Sequence, residues 1–426
     1  MKPLILTPEV SMEAFSFQVS NIMRMELTNA IAESQQAGKL DTKRLSDIVR
    51  KHTNLSVQFT LNATLTPNAF VVPPKIDKNH ALMNQWRRIF ASNADGVSAI
   101  NYSKGEAVGS VNFETGKVSG IFTKMTSDIF ITKGAFFGYN KLILTPAELC
   151  AMIIHEIGHV MTYFATLGQT FRTAFILDGF VRAALGTLEP EVRIKLMKDF
   201  EEGTGVALSD KKVIEETDNP GTITTLVLSD IIESSRSQYG TTLYDMRSWE
   251  SLSDQYAARM GCAGDLATAM DKLYQIYEPM YYRNTFVYLM VEIGKALALM
   301  IALMASAVTL NIVGFVVIFM FMSASPHERE YDNPHERLVK LRNDLIHQLK
   351  DPQLPAERSE SLLTDIEAIN RTLQHVRDRQ TFFEKFWLII SPNTRRQVKM
   401  GKELQELESL VNNELFVEAA KLKKLV

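Results

Sequence analysis

Residues 145–167 read TPAELCAMIIHEIGHVMTYFATL and hold the most informative pattern of the chain. Thr145 followed by Pro146 is typical of a helix start, because threonine caps the first N–H groups and proline fits the first helical position. An acid in the first turn, Glu148, favours the same start. We therefore predict a helix that begins at Thr145 and runs to about Leu167.

This helix carries an HExxH motif at 155–159, in flanks that hold no other charge. Residues four apart share a helical face, so the imidazoles of His155 and His159 point to one spot. Each can give a nitrogen to zinc, and Glu156 can take a proton from a water that the metal acidifies. The pattern predicts one Zn²⁺ per chain with Glu156 as general base. The alternative is a helix whose His and Glu residues only hydrogen-bond in the core, which is costly for unpaired groups.

A zinc site of this type needs a third protein ligand. The extended form of the motif is absent, because Thr162 and Ala165 stand where its glycine and third histidine would be. Downstream, Glu250 and Asp254 are four apart, so Glu250 could ligate zinc while Asp254 orients a ligating histidine. A solvated acidic face is the alternative for this pair. Three other carboxylates compete for the ligand role: Glu215, Glu216 and Glu233.

The composition of the 426-residue chain is that of an ordinary folded protein, with 46% hydrophobic and 22% charged residues. A net charge of −3 gives no electrostatic case for a nucleic-acid partner. Cys150 and Cys262 are too few for a disulfide framework. The N-terminal stretch has no long apolar run, so we expect no signal peptide and a cytoplasmic location apart from any membrane association. No pattern indicates an oligomeric state.

One segment departs from the pattern of a soluble protein. Residues 296–322 contain no charge. As a helix they would be about 40 Å long, against roughly 30 Å for the core of a bilayer. We expect residues 285–325 to associate with a membrane, as a spanning helix or a hairpin, with a buried helix pair as the alternative. Glu292 and Lys295 would then have to pair or lie at the interface.

The remaining patterns predict an α+β fold that is mainly helical. Residues 55–63 alternate like a strand, and short runs within 97–133 are separated by glycines, which favours a small sheet with hairpins. Further helices are predicted at 11–36, 42–52, 171–185, 189–202, 221–236 and 248–277, and over most of 334–426. The predicted organisation is N-terminal helices (1–54), a core (55–284), the apolar segment (285–325) and a helical C-terminal region (326–426).

Five stretches together resemble one known family. They are Asn68-Ala69-Phe70 with Pro73, IFITKGAFF (129–137), LTPAELCAMIIHEIGHV (144–160), WESLSDQYAARMG with DLATAMDKLY (249–274), and NPHERLVKLR (333–342). They are similar to motifs of the gluzincin zinc metallopeptidases, the family that includes the CAAX prenyl protease and the heat-shock membrane protease of bacteria. The resemblance implies a zincin-like metallopeptidase core, in which residues 75–128 would be an insertion. Asn333-Pro334 stands where the family has a His-Pro pair.

The resemblance also implies roles for individual residues. His155, His159 and Glu250 would be the metal ligands and Glu156 the base. Asp254 would orient a ligating histidine from behind, and Arg337 would stabilise the oxyanion. One run would be an edge strand that pairs with an extended substrate: Ile129, Phe130, Ile131, Thr132, Lys133 and Gly134.

The sequence thus predicts a zinc-dependent endopeptidase that acts on a peptide or protein substrate. The alternative is a catalytically latent or structural protein that keeps the metallopeptidase fold within a membrane or a larger assembly. The long helical C-terminal region motivates that alternative. A zinc hydrolase with a substrate other than a peptide is a third hypothesis.

Overall fold

A computed structural model of the chain describes residues 22–74, 109–112, 114–140, 142–187, 189–204, 206–239, 246–308, 333–350 and 354–379. These residues are mainly helical and include a small sheet, which confirms the predicted fold class. The chain divides into two compact units, of which the first ends at Cys262 and the second begins at Ala263. This division differs from the predicted boundaries at 54 and 284.

The first unit opens with helices α1 (Ile22–Gln36) and α2 (Thr42–Thr53). Five strands follow: β1 (Ser56–Asn62), β2 (Ala69–Val72), β3 (Ser110–Asn112), β4 (Lys117–Ser119) and β5 (Thr126–Thr132). The helices after them are α3 (Lys133–Phe137), α4 (Pro146–Leu185), α5 (Pro190–Thr204), α6 (Lys211–Glu216), α7 (Pro220–Tyr239) and α8 (Met246–Arg259). The described part of the second unit holds α9 (Ala263–Tyr277), α10 (Thr285–Val308), α11 (Pro334–Leu349) and α12 (Ala356–His375).

The larger sheet has the strand order β1-β5-β2. β5 is parallel to β1, with Ser56 opposite Thr126, and antiparallel to β2, with Ala69 opposite Ile131. β3 and β4 form the separate antiparallel hairpin that the glycine spacing predicts.

The prediction of an edge strand at Ile129–Gly134 is wrong. Ile129, Phe130 and Ile131 are paired with β1 on one side and with β2 on the other, so β5 is the central strand. Thr132 pairs with β1 and donates its N–H to the carbonyl of Asn68 at 3.0 Å. Lys133 and Gly134 belong to α3. Because neighbouring strands already use these N–H and C=O groups, the segment has no edge that could pair with a substrate.

Two predicted helix boundaries also differ from the structure. α4 is 40 residues long and passes beyond Leu167 to Leu185, so it includes the separate helix predicted at 171–185. The predicted helix 248–277 is divided into α8 and α9. At the division Gly261 adopts a left-handed φ of 73°, and Cys262 donates its N–H to the carbonyl of Ala257. A left-handed glycine with such a hydrogen bond is a common way for a helix to end.

α4 is the central element of the first unit. It packs against α1, α7, α8 and β2. Leu149, Cys150, Ile153 and Ile154 are fully buried on it, so the uncharged flank before the motif lies in the core. α2 packs against β1, which places the N-terminal helices in the same unit as the strands.

Several predictions fall on residues that the structure does not describe. They concern the strand at 97–101, most of the insertion 75–128, the helix before Ile22, the apolar residues 309–325 and the C-terminal residues 380–426. Of the apolar segment, α10 is described, and Glu292 pairs with Lys295 in it at 2.8 Å, as expected.

Candidate metal centre

The helix that carries the HExxH motif begins with a capping box. The Thr145 hydroxyl accepts the Glu148 N–H at 3.2 Å, and the Glu148 carboxylate accepts the Thr145 N–H at 2.7 Å. Pro146 follows at the first helical position, as predicted. This reciprocal pair gives hydrogen-bond partners to N–H groups that otherwise have none at a helix start. The capping box therefore fixes the residue at which α4 begins, ahead of the motif.

The motif brings three side chains together on α4. The ring centroids of His155 and His159 are 4.7 Å apart, and the two planes are nearly perpendicular at 83°. One ligand atom of each of His155, Glu156 and His159 lies within 4.8 Å of the others, so the group could hold a metal ion. His155 and Glu156 are buried, with exposed fractions of 7% and 9%.

A second helix faces this group because Gly158 permits a close crossing. A Cβ atom on Gly158 would lie 2.7 Å from the Cα of Ser253, a distance that real Cβ atoms do not show. α8 therefore crosses α4 at the motif itself, with Glu250 and Asp254 close to Ser253 in the chain. The Ser253 hydroxyl donates a hydrogen bond to the carbonyl of Trp249, one turn earlier on α8, at 2.8 Å.

The crossing places both α8 carboxylates against the histidines. The Glu250 oxygens lie 3.4 Å from Nε2 of His155 and 3.3 Å from Nε2 of His159. The Asp254 Oδ1 lies 2.9 Å from the other ring nitrogen of His155, Nδ1. Asp254 is buried, with 4% of its surface exposed. One carboxylate thus faces both Nε2 atoms, while the other lies behind His155.

These distances agree with the spacing of zinc ligands. Tetrahedral zinc with bonds of about 2.0–2.1 Å holds neighbouring ligand atoms about 3.3 Å apart. Asp254 occupies the position of the carboxylate that commonly orients a ligating histidine through its second nitrogen. One oxygen of Glu250 faces His155 and the other faces His159, so the carboxylate and the two Nε2 atoms could together hold a metal ion.

Comparison with known proteins assigns no family. No protein-family model matches the chain, and no curated protein or solved structure matches it significantly. The gluzincin resemblance rests on its motifs, and membership of that family stays a prediction.

Of the competing carboxylates, Glu216 lies on the exposed surface of α6, 3.9 Å from Lys212. Its neighbour Glu215 is on the same short helix, where its backbone carbonyl accepts a hydrogen bond from Arg193. The side chain of Glu233 lies outside the part of the chain that the structure describes. Glu250 is the carboxylate that the structure places beside both histidines.

Arg337 lies on α11 of the second unit, and its role at the oxyanion stays a prediction. The sequence around it has a clear local function. The Asn333 side chain accepts the Glu336 N–H at 2.7 Å, and Pro334 follows at the first helical position, so Asn333-Pro334 is a helix start. His335 is partly buried next to it, and burial lowers the pKa of its imidazole.

Two contributors were not singled out from the sequence. Gly158 stands at a variable position of the motif, and only the approach of α8 gives it a role. Tyr163, one turn beyond His159, donates its hydroxyl to the carbonyl of Pro74 at 3.3 Å, and burial raises its pKa. This bond connects α4 to the end of β2. The i,i+4 spacing of His159 and Tyr163 was the available signal.

Proposed function

We propose that this protein is a zinc-dependent endopeptidase that hydrolyses peptide bonds in a peptide or protein substrate. One observation carries the proposal: the Glu250 carboxylate lies 3.4 and 3.3 Å from the Nε2 atoms of His155 and His159, next to Glu156. A catalytic zinc typically has three protein ligands, so that its fourth position stays open for reactants. The adjacent buried acid would then supply the general base.

His155, His159 and Glu250 would hold the zinc. When bound, the metal supplies Lewis acidity, which polarises a carbonyl and makes water more acidic. The Glu156 carboxylate accepts a proton from the attacking water as the water oxygen bonds to the carbonyl carbon. The same carboxyl then gives that proton to the amine nitrogen as the C–N bond breaks. Asp254, whose Oδ1 lies 2.9 Å from Nδ1 of His155, would orient that ring so that Nε2 faces the site.

The substrate strand of this proposal is β2 rather than β5. In the described part of the chain, β2 pairs with β5 alone and so forms one edge of the sheet. It packs against α4, and the Tyr163–Pro74 bond lies where β2 ends. An extended peptide that adds to this edge by main-chain hydrogen bonds would run alongside the helix that carries Glu156.

The test compares metal content and casein cleavage in the wild type and in Glu156→Gln. We expect about one zinc per chain in both proteins. The cleavage rate of the variant should fall by about 10²–10⁴, the usual worth of a general base. Glu202→Gln, the same change at an exposed site on α5, is the matched control. Absence of zinc, or full activity in Glu156→Gln, would refute the proposal. Zinc without turnover on a substrate panel would favour the latent or structural alternative.

We also propose that the protein associates with a membrane through α10. By length and composition, this is the one described helix that could cross a bilayer. Its stretch Thr285–Ala302 has a mean hydropathy of 1.7, and only 6% of that stretch is buried. A flotation assay with lipid vesicles tests the association, and recovery of all the protein in the bottom fraction would contradict it.

A further inference from the structure

We infer that α10 enters an anionic lipid bilayer with its Thr285 end at the membrane surface, and that α9 and α12 lie together on that same face of the bilayer. The inference deepens the proposed membrane association and rests on it. It does not depend on the proposed peptidase activity. Three observations within the second unit carry it: the exposed apolar surface of α10, the arginines at its first turn, and the packing of α9 on α12.

The first observation is the surface of α10. Its 24 residues make a helix about 36 Å long, enough for a bilayer core of about 30 Å. Glu292 is the one buried side chain described in its first eighteen residues, and its charge is offset by Lys295 at 2.8 Å. The exposed apolar side chains follow the whole helix: Phe286, Val287, Leu289, Met290, Ile293, Leu297, Met300, Ile301 and Met304. An apolar surface of this length is unfavourable in water and favourable in lipid.

The second observation is a group of cations at the start of α10, which we call the arginine collar (Arg283, Arg377 and Arg379). Arg377 and Arg379 donate to the Thr285 hydroxyl at 2.8 and 3.1 Å. The Arg379 guanidinium also lies 4.6 Å from the centroid of the Tyr288 ring. Arg377 further donates its side chain to the Arg283 carbonyl at 3.4 Å. The side chains of Arg377 and Arg379 thus lie against the first turn of the helix, and Arg283 precedes that turn in the chain.

The positive charge of the arginine collar favours anionic lipid headgroups. Guanidinium groups bind phosphates, and arginine with tyrosine at one end of an apolar helix is typical of the layer of lipid headgroups. The last turn of α10 carries no basic residue, so the charge lies at one end only. That asymmetry places the Thr285 end at the anionic face of the bilayer.

The third observation sets the path of the chain. Gly264, before α10, donates its N–H to the Asp365 carboxylate, after α10, at 3.3 Å. A Cβ atom on Gly264 would lie 3.3 Å from the Cβ of Ala368, so α9 and α12 are in direct contact. The N–H of Arg377 reaches the carbonyl of Tyr281 at 3.3 Å.

The helices on both sides of α10 therefore form one body at its Thr285 end. A single crossing would hold Gly264 and Asp365 about 30 Å apart, on opposite faces of the bilayer. Since the two residues are hydrogen-bonded, α9 and α12 must lie on the same face of a bilayer that α10 enters.

The topology is tested on the full-length double variant Gln275→Cys/Glu367→Cys. Both positions are exposed, on α9 and on α12, whereas Cys150 and Cys262 are buried and serve as the unlabelled background. The protein is reconstituted into vesicles of phosphatidylcholine with about one quarter phosphatidylglycerol and treated with a maleimide that does not cross the bilayer. Mass spectrometry then counts the labels on each molecule, and labelling in detergent sets the maximum.

We expect molecules with two labels or with none, whatever the mixture of orientations, because both cysteines lie on one face. Molecules with a single label would show one crossing and overturn the inference while the membrane association stands. Failure of the protein to stay with the vesicles in alkaline carbonate would overturn both. The two failures are therefore distinguishable.

A second variant tests the arginine collar. Arg379→Gln should lower partition into the anionic vesicles about fivefold, the worth of one basic residue near such a surface, and should leave partition into pure phosphatidylcholine unchanged. Arg371→Gln removes one charge from an exposed position of α12 that lies outside the collar, and it should have a smaller effect. Equal losses for the two variants would show that net charge, rather than the collar, attracts the lipid.

Discussion

Gly158 and Ser253 meet where α4 crosses α8, so closely that a Cβ atom on Gly158 would lie 2.7 Å from the Cα of Ser253. On one helix this contact is flanked by His155 and His159, and on the other by Glu250 and Asp254. The spacing of the four side chains depends on how closely the two backbones approach. Gly158, which has no functional group, therefore helps to determine the geometry of the candidate metal centre.

Substitution of Gly158 by alanine should weaken the zinc site. Helix propensity alone would favour alanine by about 1 kcal/mol, but here the added methyl group forces α8 away from α4 and moves Glu250 from the histidines. We expect the zinc affinity, measured by competition with a chelator, to fall at least about tenfold. Gly294→Ala is the control, because a Cβ there meets nothing within 4 Å. Unchanged zinc affinity in Gly158→Ala would rule out this role for the crossing.

Asp254→Asn should retain the fold and lose zinc affinity. Asparagine keeps the shape of the side chain, but it removes the negative charge 2.9 Å from Nδ1 of His155. Changes of this kind behind a ligand typically cost 10- to 100-fold in affinity or activity, and we expect about that loss in zinc titrations. Asp47→Asn, an exposed change on α2, should have no effect. Equal zinc affinity in the two variants would argue against an orienting role for Asp254.

Arg193→Lys should destabilise the first unit. The Arg193 side chain is 3% exposed. It connects the segment before α5, the end of α6 and the segment after α6 through five acceptors: the carbonyls of Thr187, Ile214, Glu215 and Thr217, and the carboxylate of Asp218. A lysine has three donors on one nitrogen and cannot reach all of them, so buried carbonyls lose their partners. We expect a loss of about 2–4 kcal/mol in the free energy of unfolding, measured with denaturant.

The control for this prediction is Arg50→Lys, which makes the same exchange at an exposed position of α2. It should change the free energy of unfolding by less than about 0.5 kcal/mol. A similarly small change in Arg193→Lys would mean that the five bonds contribute little to stability.

His335 should make stability depend on pH. Burial lowers the pKa of His335 in the folded protein, and Arg342 acts in the same direction while Asp378 opposes it. Because the folded pKa lies below the unfolded value, the neutral imidazole stabilises the fold above about pH 6.5. This contribution is lost as the pH falls through the folded pKa, so the melting temperature should drop between about pH 7 and pH 5.

His335→Gln should reduce that drop, since glutamine does not titrate. His375→Gln, at an exposed position near the end of α12, is the control and should leave most of the drop in place. A melting temperature with the same pH dependence in wild type and His335→Gln would assign the effect to other groups.

Local signals predicted the elements around the site well. The threonine cap, the proline after it and the acid in the first turn predicted the start of α4 at the correct residue, because capping involves only neighbours in the chain. The end of α4 was predicted too early. Helical structure continues past Leu167 through Gly168, since one glycine within a helix costs only about 1 kcal/mol.

The position of β5 in its sheet could not be predicted from its own residues. Its β-branched and aromatic side chains favour a strand, but an edge and a centre differ only in which other segments supply hydrogen bonds. Those segments are β1 and β2, and both lie far from β5 in the chain. The edge beside α4 in the described structure is consequently β2, which the sequence did not distinguish.

The sequence by itself determined that His155, Glu156 and His159 lie together, because four residues make about one helical turn whatever surrounds the helix. It also placed Glu250 and Asp254 on one face of a later helix for the same reason. Only the tertiary structure decided which carboxylate faces the histidines. That choice depends on the crossing of α4 and α8, a contact between segments about ninety residues apart. The hydrophobic periodicity of neither segment indicates this contact. Gly158 allows the crossing because it has no side chain. That property matters only because the backbone of α8 occupies the space where a side chain would be, and the sequence does not show this contact.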